Sequence, residues 1–284
     1  MIDIRTLKRS VVFKLFDSLI LPIALYGCQV WFTETWLVKN LTENSTGIHL
    51  QAIAKDPNER IHLSFLKWNL GIGRKTSNAA VSGDSGRVPL VIQISKQVFS
   101  YFERVRSMAT NNADCLVKHA FNEQKSLNMS WYRRLNSLQD LLQSHSNFKL
   151  NYPSQLRTRL MEDFKCIWDR ERQQNRKLVF YNSIKSSFEP EKYIDAHLGY
   201  KDLKRIAQFR MSSHKYRIET GRYGSQYGNV LNRICEHCST ADRETLELLK
   251  ECPFFDPIIE DEFHVLNSCP RYKDARIRLW VFIV

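Results

Sequence analysis

The sequence LVIQISKQVFSYFERV, residues 90–105, indicates the fold class most clearly. Its large apolar side chains recur every three or four residues, which is the spacing of one face of an α-helix. They are Leu90, Ile94, Val98, Tyr101, Phe102 and Val105. The same spacing occurs in a second helix, which we expect to begin near Asn58 and to end at Gly71 and Gly73. Its apolar positions are Ile61, Phe65, Leu66 and Trp68. The sequence therefore predicts a mainly α protein whose first helices pack as a bundle.

Residues 1–36 form an apolar segment that predicts a helix or a pair of helices. We expect breaks at Pro22 and Gly27, because proline removes a hydrogen-bond donor and glycine relaxes the backbone. A membrane anchor is the alternative for this segment. Lys14 and Asp17 interrupt it, however, and the remaining apolar run is shorter than the roughly 20 residues that a helix needs to cross a bilayer. We therefore expect no membrane partner.

The charge of the chain points to a polyanionic partner. The 284 residues contain 42 Lys and Arg against 30 Asp and Glu, a formal net charge of +12. Such a charge favours nucleic acid ahead of an acidic membrane surface. Residues 149–222 hold seventeen basic and nine acidic residues, whereas residues 242–262 hold eight acidic and two basic residues. The middle section is thus predicted to face phosphate, the alternative being a solvated helical surface without a partner.

A pattern typical of zinc sites lies near the carboxyl end. Cys235 and Cys238 form a C-x2-C pair, and His264 and Cys269 follow as H-x4-C. Zinc prefers four such ligands at the corners of a tetrahedron, and four protein ligands leave no open position for water or substrate. The pattern therefore predicts a structural Zn²⁺ ion. Buried cysteines without a metal are the alternative.

The local sequence supports that geometry but leaves the ligand set open. The acidic run at residues 260–262 favours the start of a helix, so His264 is predicted in its first turn. Cys269 precedes a proline, which disfavours helical geometry and ends the helix there. The spacer between the two pairs is long, and Cys252 or His237 could replace a predicted ligand.

The cysteine count also bears on the compartment. Seven cysteines fit a secreted disulfide framework poorly, because the number is odd and four of them lie in the last fifty residues. We expect a reducing compartment, either the nucleus or the cytoplasm. We predict three parts of the chain. They are a helical bundle at residues 1–110, a basic helical connector at 111–225 and a zinc-binding tail at 226–284.

Several stretches resemble the carboxyl-terminal part of non-LTR (LINE-type) retrotransposon reverse transcriptases. FDSLILPIALYGCQVW, residues 16–31, is similar to the segment that enters the thumb after the polymerase palm. The resemblance continues in the same order along nearly the whole chain, at residues 62–80, 86–90, 211–223, 260–264 and 269–272. It is carried by this order more than by any single stretch.

The resemblance implies a fold and a partner. Residues near 60–110 would be thumb helices that grip a template–primer duplex, and the terminal CCHC zinc knuckle would bind element RNA or target DNA. Partners would therefore be RNA or an RNA/DNA template–primer. Backbone contacts would come from Lys67, Arg74, Lys75 and Arg87. A cation beside a phosphate adds affinity without reading sequence, and the same four residues could also be solvated surface charges.

The catalytic residues of that family are not found here. Its polymerases use neighbouring aspartates in a palm hairpin to hold two metal ions, and no Asp-Asp pair occurs in this sequence. The palm would lie upstream of Met1. We therefore expect no catalytic residues and no enzymatic activity of the chain alone, unless it is part of a longer, active RNA-directed DNA polymerase.

Other functional classes are also open to test. Residues 83–86, GDSG, imitate the nucleophile loop of a serine protease, but too little chain precedes them for that fold. Residues 71–76, GIGRKT, lack the spacing of a phosphate-binding loop. A magnesium nuclease would use Asp256, Glu260, Asp261 and Glu262. A structural protein would use its aromatic helices as an interaction surface and ignore nucleic acid.

Overall fold

The computed structural model describes residues 6–34, 53–111, 115–144, 153–196, 198–221, 230–239 and 258–281. Within these ranges the protein is mainly α-helical, as the periodicity predicted, and strand pairing is limited to one antiparallel bridge between Ile234 and Ile259. None of the described helices is both long enough and apolar enough to cross a bilayer.

The helices of the amino-terminal half, in chain order, are α1 (Arg9–Leu15), α2 (Leu21–Ala24), α3 (Cys28–Trp31), α4 (Pro57–Leu70), α5 (Asn78–Ser85) and α6 (Leu90–Asn111). Those that follow are α7 (Leu116–Ser126), α8 (Ser130–Ser144), α9 (Pro153–Gln174), α10 (Val179–Ile184), α11 (Tyr200–Arg210), α12 (Arg217–Thr220), α13 (Glu262–Asn267) and α14 (Lys273–Val281). A π-helical turn, Phe16–Ile20, joins α1 to α2.

Of the two breaks predicted in this segment, the one at Gly27 occurs and the one at Pro22 does not. Gly27 has a left-handed φ of 65°, which separates α2 from α3. Pro22 directly follows the π-helical turn, which already interrupts the regular α-helical hydrogen-bond pattern, and helical backbone continues through it to Ala24.

Helix α4 begins and ends where the sequence predicted. The Asp56 carboxylate accepts hydrogen bonds from the backbone N–H groups of Asn58 and Glu59, at 2.9 and 3.3 Å, and so caps the helix. Gly71, at a φ of 67°, ends it in the left-handed conformation. Leu66 and Leu70 are fully buried on its inner face.

Helix α6 is the centre of the larger apolar core. Val98, Phe99 and Phe102 are buried on one face and contact α7, α9 and α3. The same core continues through Phe121 of α7 to Phe164 of α9, so it extends across residue 110. The boundaries predicted at 110 and 225 stay predictions.

A second core lies between α4, α5 and α10. At its border with the first core, α5 packs closely against Trp168 of α9 and Tyr181 of α10. Trp168 Nε1 donates to the Ala79 carbonyl at 2.8 Å, and the Tyr181 hydroxyl donates to the Ala80 carbonyl at 3.2 Å. A Cβ at Gly83 would lie 2.5 Å from Tyr181 Oη and 2.8 Å from Trp168 Cζ2. Glycine is therefore required for α5 to approach these two rings.

Beside Gly83, a buried ionic network joins α5 to α11. Asp84, which is fully buried, accepts hydrogen bonds from Arg210 Nε at 3.0 Å and from the Tyr193 hydroxyl at 2.8 Å. Burial and the nearby carboxylate hold the pKa of Tyr193 well above its usual value. Ser85 is also buried, and its hydroxyl donates to the Val81 carbonyl at 2.7 Å. The GDSG stretch is thus a packing element.

Candidate metal centre

Four side chains converge near the carboxyl end, and they are the four that the spacing predicted. The ligand atoms of Cys235, Cys238, His264 and Cys269 all lie within 4.8 Å of one another. Cys269 Sγ is 3.8 Å from Cys235 Sγ and 3.7 Å from Cys238 Sγ, and Cys238 Sγ is 3.3 Å from His264 Nε2. Around tetrahedral zinc, two sulfurs would lie about 3.8 Å apart and a sulfur and a nitrogen about 3.5 Å apart. The group could therefore hold a metal ion.

A tight turn and a β-bridge place the first two cysteines. The Cys235 carbonyl accepts hydrogen bonds from the backbone N–H groups of Cys238 at 3.2 Å and Ser239 at 2.9 Å, which brings both thiols to one side of the turn. The Cys235 N–H donates to the Ile258 carbonyl at 2.8 Å. This pairing fixes the cysteine turn beside the segment that leads into α13.

Helix α13 places the other two ligands. Asp261 caps its first turn by accepting a hydrogen bond from the His264 N–H at 2.7 Å. The backbone N–H of Cys269 donates to the His264 carbonyl at 2.9 Å, which folds the end of the helix back toward the histidine. Both predictions for this segment, His264 in the first turn and a helix that ends before Pro270, are confirmed.

The histidine and its helix have supporting contacts that the motif does not include. His264 Nδ1 lies 3.0 Å from Ser268 Oγ. With Nδ1–H donating to that hydroxyl, Nε2 carries the lone pair on the side of the cysteines. Arg276 of α14 donates to the carbonyls of Val265 at 3.0 Å and Cys269 at 2.7 Å. The serine one turn after the histidine is a signal that the sequence contained; the arginine contact becomes evident only in three dimensions.

Burial and the neighbouring thiols disfavour ionisation of the Cys238 thiol. Desolvation, together with hydrogen bonds and repulsion from the thiols of Cys235 and Cys269, raises the pKa of the Cys238 thiol to about 12. A divalent ion reverses this balance, because it stabilises thiolates and displaces their protons. Three thiolates and one imidazole form a donor set that suits zinc.

The acidic residues before His264 fasten the tail to the rest of the protein. We call residues 230–239 and 258–281 the zinc tail, and residues 6–221 the helical body. Glu262 accepts hydrogen bonds from Ser212 Oγ at 2.6 Å and His214 Nε2 at 2.8 Å. Desolvation alone would raise the pKa of Glu262, but these two bonds outweigh it and lower the pKa. The carboxylate is thus held in its charged form at the junction.

Glu260 makes a second set of junction contacts. Its carboxylate accepts hydrogen bonds from the Arg217 N–H at 3.1 Å and from the Tyr272 hydroxyl at 3.3 Å, and its carbonyl accepts one from the Ile218 N–H at 3.2 Å. Phe263 packs edge-on against Phe180. With Asp261 serving as the helix cap, the three described carboxylates of the predicted magnesium site are directed at different partners. Asp256 lies outside the described residues.

Of the two alternative zinc ligands, only His237 lies within the described residues. His237 is an exposed residue of the cysteine turn and is not part of the converging group. Cys252 lies outside the described residues.

The four predicted nucleic-acid contacts occupy different environments. Arg87 forms a bidentate ion pair with Asp17 and lies over the Phe13 ring. Lys67 Nζ donates to the Arg74 carbonyl at 2.8 Å, and burial lowers its pKa. Arg74 and Lys75 are exposed in the turn after α4. The role of these residues in binding stays a prediction.

Comparisons with known proteins identify no relative: no family model, no curated protein and no solved structure matches the chain.

Proposed function

We propose that the chain is a nucleic-acid-binding fragment with a structural zinc centre, related to the carboxyl-terminal part of non-LTR retrotransposon reverse transcriptases. The observation that carries this proposal is the convergence of Cys235, Cys238, His264 and Cys269 at distances that suit tetrahedral zinc. The order of sequence stretches that resemble that family supports the same proposal.

Zinc in this site has a structural role. Three cysteines and one histidine complete a four-coordinate shell, so no position is left for a reacting water. The centre joins the cysteine turn to α13, and α13 is in turn fastened to the helical body through Glu262. Zinc binding thereby holds the tail in one orientation on the body.

Nucleic acid is the partner that the charge favours. A net charge of +12 on 284 residues attracts a polyanion, and Lys and Arg side chains beside phosphates release bound counterions on binding. The proposed ligand is RNA or an RNA/DNA template–primer, bound through its backbone rather than through its bases.

Metal content of the purified chain tests the zinc centre. We expect about one zinc per chain in the wild type and close to none in Cys235→Ala, because folding and metal binding are coupled in such knuckles. Cys166→Ala is the matched control, since Cys166 is an exposed free cysteine of α9 outside the cluster, and it should retain the metal. Wild-type protein that is folded and free of metal would overturn the assignment.

Salt dependence tests the partner. The logarithm of the affinity for RNA or a duplex should fall linearly with the logarithm of the salt concentration. The slope is set by the number of phosphates neutralised. Binding that does not change with salt, or no binding at all, contradicts the proposal.

An interaction protein is the second candidate, and one surface favours it. Ile23, Tyr26 and Val30, which lie on both sides of the break at Gly27, are 76%, 85% and 69% exposed. This candidate predicts a defined oligomer whose size does not change on nuclease treatment. The nucleic-acid proposal predicts that nuclease reduces the size of any complex.

A further inference from the structure

A polar cavity of about 720 Å³ opens between α3, α6 and the first turns of α9. Its walls include Gln29 of α3, Arg157 of α9, and Gln93, Lys96, Gln97 and Arg104 of α6. The volume lies in the range of clefts that bind small ligands or short segments of a chain. The cavity is separate from the zinc centre and includes none of the four basic residues predicted from the sequence.

The periodicity of α6 explains why these residues share one wall. Positions 93, 97, 100 and 104 follow one another at three or four residues and are exposed. Val98 and Phe102 lie on the opposite side of the helix, where they are buried in the core. Because the apolar face is fixed by the core, the polar face is held rigidly toward the cavity.

The cavity carries three positive charges and no negative charge. Lys96, Arg104 and Arg157 line it, and none of its lining residues is Asp or Glu. Many guanidinium groups of the helical body are paired, as Arg87 is with Asp17 and Arg210 with Asp84. Within the described part of the chain, the three cavity cations form no such ion pair.

The remaining lining groups suit a hydrogen-bonding strand. Three glutamine amides supply donors and acceptors, and Ser100 adds a hydroxyl. The Arg104 guanidinium lies 5.4 Å from the centre of the Tyr101 ring, which restrains it at the wall of the cavity. Tyr101 also lines the cavity, and its hydroxyl is a further group that can form hydrogen bonds.

We propose that this cavity binds a single nucleic-acid strand through its phosphodiester backbone. Lys96 and Arg104 are eight residues apart on α6, which corresponds to about 12 Å along the helix axis and to a short segment of one strand. A cavity of about 720 Å³ has the size of a site for a short segment of one strand. The inference rests on the proposed function and gives it a specific site and a preferred form of ligand.

Binding of a labelled 20-nucleotide oligouridylate, followed by fluorescence anisotropy at several salt concentrations, tests the site. The test variant is Lys96→Gln/Arg104→Gln/Arg157→Gln, whose side chains are exposed, so its melting temperature should equal that of the wild type. For single strands each neutralised phosphate contributes about 0.7 to the salt slope. The variant should therefore show a slope smaller by about 2 and an affinity lower by at least about tenfold near 0.1 M salt.

A charge-matched control separates a local site from a general charge effect. Lys8→Gln/Lys14→Gln/Lys125→Gln removes three exposed lysines that lie outside the cavity and outside the basic section at residues 149–222, and it should leave both slope and affinity close to those of the wild type. Equal losses in the two variants overturn the cavity as the site.

The other outcomes distinguish the cavity from the wider proposal. If the wild type binds oligouridylate and the cavity variant binds it equally well, the cavity proposal fails and the nucleic-acid function stands. If the wild type binds neither oligouridylate nor a 20-base-pair duplex, the nucleic-acid function fails. Tighter binding to the duplex than to the single strand, or cavity-dependent binding only to vesicles with anionic lipid headgroups, also overturns the inference.

Discussion

The helical body and the zinc tail bury different kinds of group. In the body, Val98, Phe102 and Leu135 are at most 1% exposed and belong to one continuous apolar core. The described part of the tail buries few apolar residues, among them Ile234 and Val265, and it relies on ligand side chains and on hydrogen bonds to the body. The body is thus a unit stabilised by the hydrophobic effect, whereas the tail is attached by polar contacts and contains a side-chain group that could hold a metal ion.

Metal removal should separate the two units most strongly. Structural zinc contributes about 10–16 kcal/mol of apparent binding free energy in isolated knuckles, so a strong chelator should abolish amide protection at residues 230–239 and 262–269. Helix α6 should keep its protection, because its core contains no ligand. Hydrogen exchange with and without chelator measures both. Equal loss of protection in the tail and in α6 would contradict the comparison.

A mutation that creates a void in the apolar core should destabilise the helical body and leave the metal content of the tail unchanged. Phe102→Ala removes a large side chain that is 1% exposed and should lower the free energy of unfolding by about 3–5 kcal/mol. Urea denaturation measures the loss, and metal content at low temperature should be unchanged. Leu116→Ala, at an 84% exposed position of α7, is the control and should have little effect. Loss of zinc from folded Phe102→Ala would mean that the centre depends on the core directly.

Weakening the junction should leave both units folded but less firmly attached. Glu262→Gln replaces a buried carboxylate bound to Ser212 and His214, and hydrogen bonds to a charged group contribute about 1.5–3 kcal/mol. Hydrogen exchange at residues 211–219 should increase while zinc content stays the same. Glu236→Gln is the matched control, because its ion pair with Arg217 is largely exposed and such pairs contribute little. An equal effect of the two variants would show that Glu262 is not the junction.

The smallest expected effects come from two helix caps, one in each unit. Asp56→Ala removes the cap of α4 and Asp261→Ala removes the cap of α13, at a cost of about 1 kcal/mol each. The first should lower the urea midpoint of the body, and the second should raise the zinc concentration needed to fold the tail. Magnesium-dependent cleavage of nucleic acid that disappears in Asp261→Ala would favour the nuclease alternative instead.

Local patterns predicted the elements of this fold that depend on local physics. The spacing of Ile61, Phe65 and Trp68, with Gly71 after them, was enough to place α4, because helix periodicity and a left-handed stop are encoded within a few residues. Ile61 and Trp68 are nevertheless 56% and 50% exposed, so the buried face was only partly predicted. The four side chains that converge near the carboxyl end were found for a similar reason, since two Cys/His pairs at short spacings indicate a possible metal site. Pro22 was interpreted wrongly because its effect depends on its position within a helical turn.

Contacts between distant segments could not be predicted in this way. Nothing near Asp84 in the sequence indicates that Arg210 and Tyr193 will surround it, since the partners are more than a hundred residues away. The cavity between α3, α6 and α9 was missed for the same reason, because its three cations lie on two helices whose packing no local pattern specifies. Sequence spacing identified the ligands of the metal centre, and only the tertiary structure identified the groups that attach it to the body.

The close approach at Gly83 constrains how this sequence can change over time. Even one methyl group there would collide with both Tyr181 and Trp168, so a larger residue at position 83 is tolerated only if one of those rings becomes smaller. Substitutions at these three positions are therefore coupled. A larger residue at position 83 destabilises the fold alone and is tolerated together with a smaller residue at position 168 or 181. A lineage that loses this glycine without such compensation would lose the packing of α5 against these two rings.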